Sequence, residues 1–290
     1  MESKIISVAG FKIKLQAEDI ANIALEQAYE HFIIPDIFLK EDVLIKSFIG
    51  IPDNLLSHDN IIFEAKDQQQ KYFSIHQFEQ SYKFIIYNQQ SINQVQQIAV
   101  LNKDFSEWII YSNSIKNNNI TFPLLYPMGP LVLYYLTVKY NAIMIHASGV
   151  FDGENGRIFT GFSGVGKSTM ANLWLQSGCE IINDDRLFIR NQNGKYFMYN
   201  TPMFYSDLPK KSPLNAIYLI KHANTNTIQK ISGVSAVSQL MAFCIQHDFN
   251  KSFIEHHLNF LSHLCNKIPV CKIGFLPDKH IIDYIKIHAV

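Results

Sequence analysis

This sequence has little charge: Asp, Glu, Lys and Arg make up 17% of its 290 residues, and 25 basic side chains balance 25 acidic ones. A chain without net charge carries no global electrostatic footprint for a polyanion, so neither nucleic acid nor an anionic membrane is an expected partner. Long apolar runs are also missing. The longest, residues 142–150, falls well short of the roughly 20 residues that cross a bilayer and is interrupted by His146. The opening Met1-Glu2-Ser3-Lys4 lacks the basic-then-apolar pattern of a secretion signal, which sets the expectation of a soluble, cytoplasmic protein. The few cysteines, Cys179, Cys244, Cys265 and Cys271, have no Cys-x-x-Cys spacing and no paired framework. They argue against structural zinc and disulfides and read as reduced, mostly buried thiols. No internal repeat and no long Pro/Gly/Ser linker divides the chain.

What is present is apolar. Hydrophobic residues make up 48% and aromatics 13%, ample for one large domain or two modest ones. The texture changes near residue 120. Before it, short runs rich in Val, Ile, Phe and Tyr (11–15, 43–49, 61–65, 72–75, 84–87 and 108–111) stand between polar stretches. They predict a meandering, mostly antiparallel sheet. Apolar positions at Ile20, Ile23, Ala24 and Ala28 predict one helix within it, over 17–32. Residues 117–123 read as a loop, followed by a helix through 131–136 and an apolar strand over 142–150. The turn 152–156 and a strand over 157–160 complete a hairpin. Further on, the pattern predicts a helix over 167–176 closed by Gly178, a short strand over 179–183, and a hairpin of 187–190 with 196–199 about Asn193-Gly194. Strands at 216–220, 227–231 and 270–273 alternate with helices at 234–246, 253–264 and 279–287. The fold class is mixed α/β, with a β-rich domain over 1–120 and a nucleotide-binding domain over 121–290.

The strongest signal is Gly161-Phe162-Ser163-Gly164-Val165-Gly166-Lys167-Ser168, the Gly-x-x-x-x-Gly-Lys-Ser pattern of a phosphate-binding loop. Its glycines let the backbone aim successive N–H groups at one phosphate cluster, and the helix that follows adds its positive end. The candidate nucleotide-binding residues are Gly161, Ser163, Gly164, Val165, Gly166, Lys167, Ser168 and Thr169. Lys167 reaches the β- and γ-phosphates, and the Ser168 hydroxyl is placed for Mg²⁺, with Thr169 as a second hydroxyl. Average residue usage gives about one chance match per hundred chains of this size. The flanking strand and helix lower that further, so ATP with Mg²⁺ is the expected cofactor pair.

Asp184-Asp185 follows Lys167 by 17 residues, room for a helix, a turn and a strand. If the strand over 179–183 runs parallel to the one before the loop, both end at the sheet edge where open α/β folds bind ligands. One carboxylate would then hold Mg²⁺ and the other take a proton from an attacking hydroxyl, and the spacing leaves open which does which. Away from such a loop, an Asp pair after a strand is more often a solvated turn. His146 is by default a core histidine, yet its strand adjoins the loop-bearing one, which makes a place near the phosphates equally compatible. His256-His257 reads as helix surface.

Three segments together, His146-Ala147-Ser148-Gly149-Val150, the loop over 161–169, and Ile182-Asn183-Asp184-Asp185-Arg186, resemble the HPr kinase/phosphorylase family, whose core is shared with the phosphoenolpyruvate carboxykinases. The likeness covers 125–220, weakly through Asn200-Thr201-Pro202 and Pro213-Leu214-Asn215-Ala216-Ile217. It implies a catalytic role for Asp184, a metal-associated one for Asp185, and a place near the phosphates for His146. The chain departs from bacterial HPr kinases at Thr169, where they carry a glutamate, in the missing segment tied to HPr binding, and in its N-terminal part. It is more similar to the HPr-kinase-like serine kinases of ribosomal peptide pathways, lasso peptides included, which implies an acceptor serine on a precursor peptide or protein rather than HPr.

The leading reading is transfer of the γ-phosphoryl group of ATP to a hydroxyl, with Asp184, Lys167 and His146 as catalytic candidates and Ser168 and Asp185 as metal ligands. A small-molecule phosphotransferase and a non-catalytic ATP-dependent binding module, with residues 1–120 recognising a partner, are the alternatives. The sequence allows a homo-oligomer without naming its state, and no base-reading motif separates ATP from GTP.

Overall fold

The structure, a computed structural model, describes residues 2–35, 40–57, 60–88, 91, 94–113, 120–203, 207–247 and 250–288. Residues 117–119 of the expected loop lie outside the described residues. The chain forms two compact units, Met1–Lys139 with Pro202–Leu208 and His247–Phe249, and Tyr140–Thr201 with Pro209–Gln246 and Asn250–Val290.

Among the described residues the first unit is a nine-stranded sheet in the order β3-β1-β2-β4-β9-β8-β7-β6-β5. The strands are β1 Glu2–Val8, β2 Phe11–Ala17, β3 Ile33–Ile34, β4 Val43–Ile49, β5 Ile61–Lys66, β6 Lys71–Phe78, β7 Ser81–Tyr87, β8 Val95–Leu101 and β9 Glu107–Ser112. Pairing is antiparallel except at β4, which runs parallel to β2 and β9. Alternation is plain in β2, where Phe11, Ile13, Leu15 and Ala17 point inward. The helix expected over 17–32 does not form. Ala17 ends β2, Asp19 accepts the Ala21 N–H to start a single turn over Ile20–Asn22, and Ile23 bridges Thr121. Only α1, Gln27–Glu30, is helical there, so local strand pairing overrides an apolar spacing that mimics a helix.

Helix α2, Met128–Lys139, is buried from Met128 through Thr137 and apolar on every side, as a helix enclosed by core must be. Its Tyr135 ring lies 5.3 Å from Phe84, 5.6 Å from Phe105 and 5.7 Å from Trp108. That packing places α2 in the first unit, so the compact division falls after Lys139 rather than after residue 120.

Among the described residues the second unit is an eight-stranded mixed sheet in the order β14-β13-β12-β10-β11-β15-β17-β16. Its strands are β10 Ala142–Phe151, β11 Gly156–Thr160, β12 Glu180–Gln192, β13 Lys195–Tyr199, β14 Lys211–Pro213, β15 Ala216–His222, β16 Thr227–Ile231 and β17 Val270–Phe275, and its helices are α3 Lys167–Gln176, α4 Gly233–Met241, α5 Lys251–Lys267 and α6 His280–His288. Both sheet faces are apolar and covered. Ile217 and Leu219 of β15 join Leu240 of α4 and Phe260, Leu261 and Leu264 of α5, while Tyr218 and Ile220 join Met170 and Trp174 of α3 and Ile281 and Ile285 of α6. His257 is 1% exposed on α5, which corrects the surface reading of the His256-His257 pair. Cys179, Cys244 and Cys271 are buried free thiols. Among the described residues, no helix is long and apolar enough to cross a membrane.

Candidate functional site

The glycine loop lies between β11 and α3, as its sequence requires. Gly164 and Gly166 adopt φ of 77° and 96°, a region that side chains avoid. Gly166 is also the N-cap of α3 with no side-chain cap bond, so the first N–H groups of the helix have no intrahelical acceptor. Ser163, Ser168 and Thr169 are exposed, while Lys167 is 9% exposed. The Lys167 ammonium donates to the carbonyls of Gly161 (3.1 Å) and Phe162 (3.2 Å), which fixes it under the loop with one donor left over. Burial pushes the Lys167 pKa below the usual lysine value, while the charges of Asp184 and Asp185 pull it back up.

Those two carboxylates come from β12. Strand β10 is antiparallel to both β11 and β12 and lies between them, so β11 and β12 run in the same direction. The expectation of a short strand ending before the Asp pair is overturned. β12 continues through Asp184 and Asp185 to Gln192 as one strand. The residues still reach the right level, because Thr160 of β11 and Asp185 of β12 both stand opposite Ala147 of β10. With strands spaced by roughly 4.8 Å, the end of the loop-bearing strand and the Asp pair are about 10 Å apart.

Each carboxylate has its own setting. The Ser148 hydroxyl, directly across the pair of strands, donates a hydrogen bond to Asp184 Oδ1. The Asp184 N–H donates to Asn183 Oδ1 (2.7 Å). The Asn183 amide donates to the Arg186 carbonyl (2.8 Å) and to Thr201 Oγ1 (3.1 Å), and the Thr201 hydroxyl donates to the same carbonyl (2.9 Å). The backbone around the Asp pair is therefore pinned from both sides. Asp185 Oδ1 lies 3.3 Å from His146 Nδ1, and Arg186 Nε lies 3.3 Å from Asp185 Oδ2. Asp185 Oδ2 is shielded from solvent yet accepts no hydrogen bond, so Arg186 meets it as a charge without good donor geometry.

A last wall comes from the segment after α4, where the expected helix over 234–246 stops early. Cys244 bridges Ile145, the His146 N–H donates to the Phe243 carbonyl (2.9 Å), and the Ile245 N–H donates to the Met144 carbonyl (2.7 Å). This segment fills the edge of β10 beyond the end of β11. The Phe243 ring meets the exposed Phe162 ring edge-on at 5.2 Å.

The structure thus brings together the sequence-predicted residues of the loop and Asp185 with His146, and the charges of both carboxylates act on Lys167. Ser148, Arg186 and Thr201 stand out in the sequence only as members of longer segments, and Phe243 carries no signal there. Among the described residues no cluster of three or more His, Cys, Asp or Glu side chains could hold a metal alone. The available donors are two carboxylates and the Ser168 hydroxyl, one carboxylate oxygen being unsatisfied. That set suits a hard cation shared with phosphate oxygens, as Mg²⁺ is commonly held.

No family model and no curated protein matches the chain. Among solved structures, the Hpr(Ser) kinase/phosphatase from Coxiella burnetii is similar over 50% of this chain and 99% of its own, with 10% sequence identity and a TM-score of 0.30. So weak a likeness says nothing of function, which this chain's own residues must carry.

Proposed function

We propose that this chain is an ATP-dependent kinase that moves the γ-phosphoryl group to a hydroxyl, that of a serine in a peptide or protein. The observation that carries the reading is the three-strand register at Ala147, which sets the end of the glycine-loop strand and the Asp pair level with each other. The Coulombic reach of Lys167 to both carboxylates supports it.

In this reading the loop amides and Lys167 hold the phosphates and stabilise charge on the transferred group. Ser168 and Asp185 would hold Mg²⁺, which supplies charge neutralisation on the phosphates when bound. His146 and Arg186 orient Asp185. Asp184 takes the proton of the acceptor hydroxyl. Its Oδ1 is fixed by Ser148, which leaves Oδ2 for that proton.

The test is Asp184→Asn, assayed for phosphorylation of serine-bearing peptides and, separately, for Mg-ATP binding. Transfer is expected to fall by about a thousandfold, with the binding constant changed by no more than about threefold. Transfer at close to the wild-type rate would remove Asp184 from the chemistry. Slow loss of ATP with no phosphorylated product from any peptide would instead favour a nucleotide-controlled binding module.

A further inference from the structure

A nucleotide has two ends, and the glycine loop with its Asp pair accounts for the phosphates alone. The Asp pair flanks the loop on the β12 side, beyond β10. On the other flank, β15 pairs in parallel with β11, with Thr160 opposite Leu219, so His222 lies past the end of β11 at the same edge of the sheet. There His222 is exposed and pairs with Phe275, the buried last residue of β17. Their rings stack with centroids 5.1 Å apart and planes 28° from parallel.

This stack touches the loop. A Cβ added to Gly166 would lie 2.9 Å from Phe275 Cζ and 3.1 Å from His222 Cε1. The rings therefore stand beside the residue that precedes Lys167, on the side away from the carboxylates. A triphosphate whose γ end meets Asp184 and Asp185 has its nucleoside end directed toward them.

We infer that His222, backed by Phe275, is the platform on which the nucleotide base stacks. This rests on the phosphate-loop reading and deepens it. A flat ring offers its face to any base and reads no edge, so the site takes nucleoside triphosphates and separates ATP from GTP only weakly. It does separate a nucleotide from bare polyphosphate.

Calorimetric binding in Mg²⁺ of ATP, GTP and inorganic tripolyphosphate to the full chain tests this. His222→Ala is expected to weaken ATP and GTP by about tenfold each and leave tripolyphosphate within about twofold, and His222→Phe is expected to restore both nucleotides. Unchanged ATP binding in His222→Ala overturns the platform, and so does an equal loss of ATP and tripolyphosphate, which would mean that the ring only props Gly166. Wild-type protein binding tripolyphosphate as tightly as ATP also overturns it while the loop reading stands. Wild-type protein binding none of the three overturns the loop reading and the platform with it.

Discussion

Ser148 shows how much a single hydroxyl can decide. It lies on β10, fully buried, and its hydrogen is committed to Asp184 Oδ1. A hydrogen bond to a charged acceptor contributes about 1.5–3 kcal/mol, and here it occupies one of the two carboxylate oxygens. Ser148→Ala is expected to lower the transfer rate by about tenfold or more and leave the KM for ATP within about twofold, because the glycine loop is untouched. Steady-state kinetics with a serine peptide would check it, and a rise in KM with no change in kcat would instead tie Ser148 to nucleotide binding. The loop itself was legible because its chemistry is written in consecutive residues, each glycine and the lysine at fixed offsets. The Ser148–Asp184, His146–Asp185 and His222–Phe275 pairs were not legible as pairs. Each joins two strands, and neither segment states which residue it will oppose.

At the scale of elements, strand β12 marks where local reading stops. Two carboxylates and an arginine in the middle of Ile181-Ile182-Asn183-Asp184-Asp185-Arg186-Leu187-Phe188 look like a turn, yet β10 pairs antiparallel with every residue from Asn183 to Phe188, after a register shift at Ile182, and keeps them extended. Polar residues inside a central strand at the loop's level are explained by chemistry better than by packing. The hairpins, by contrast, announced themselves: Asn193 and Gly194 take φ of 53° and 81°, as a two-residue turn demands.

Helix α5 yields a prediction of its own. Burial pushes the His257 pKa down to about 4 from the usual 6.5, helped by the neighbouring His256. The folded chain therefore keeps His257 neutral where the unfolded chain would take up a proton. Stability is unaffected above the unfolded value and falls as pH drops from 6.5 toward about 4. The loss from this group is at most about 3 kcal/mol across that window. Urea unfolding midpoints at neutral pH and near pH 5 should differ less in His257→Leu than in wild type. An equal slope in both would assign the acid sensitivity to other groups.

At the scale of the whole molecule, the texture change near residue 120 signals two units, but the chain divides after α2. Composition could not show this, since an all-apolar helix fits either core, and the ring cluster around Tyr135 settles it. Each unit happens to hold one of the two tryptophans, Trp108 at 1% exposure on β9 and Trp174 at 0% on α3. Trp174 lies on the helix that opens with Lys167, so its fluorescence follows the unit that carries the loop. Phe substitutions at either position leave a single reporter. Mg-ATP at about a hundred times its dissociation constant should stabilise the state that binds it by about 2.7 kcal/mol, a rise of about 5–11 °C for a unit of this size. In Trp108→Phe protein the Trp174 transition is expected to rise by that amount, and in Trp174→Phe protein the Trp108 transition is expected to rise less. Each comparison is internal, with and without nucleotide, so the cost of either substitution drops out. A Trp108 transition that rises while the Trp174 transition stays put would assign the nucleotide to the first unit, which has no glycine loop, and the proposed site would fall.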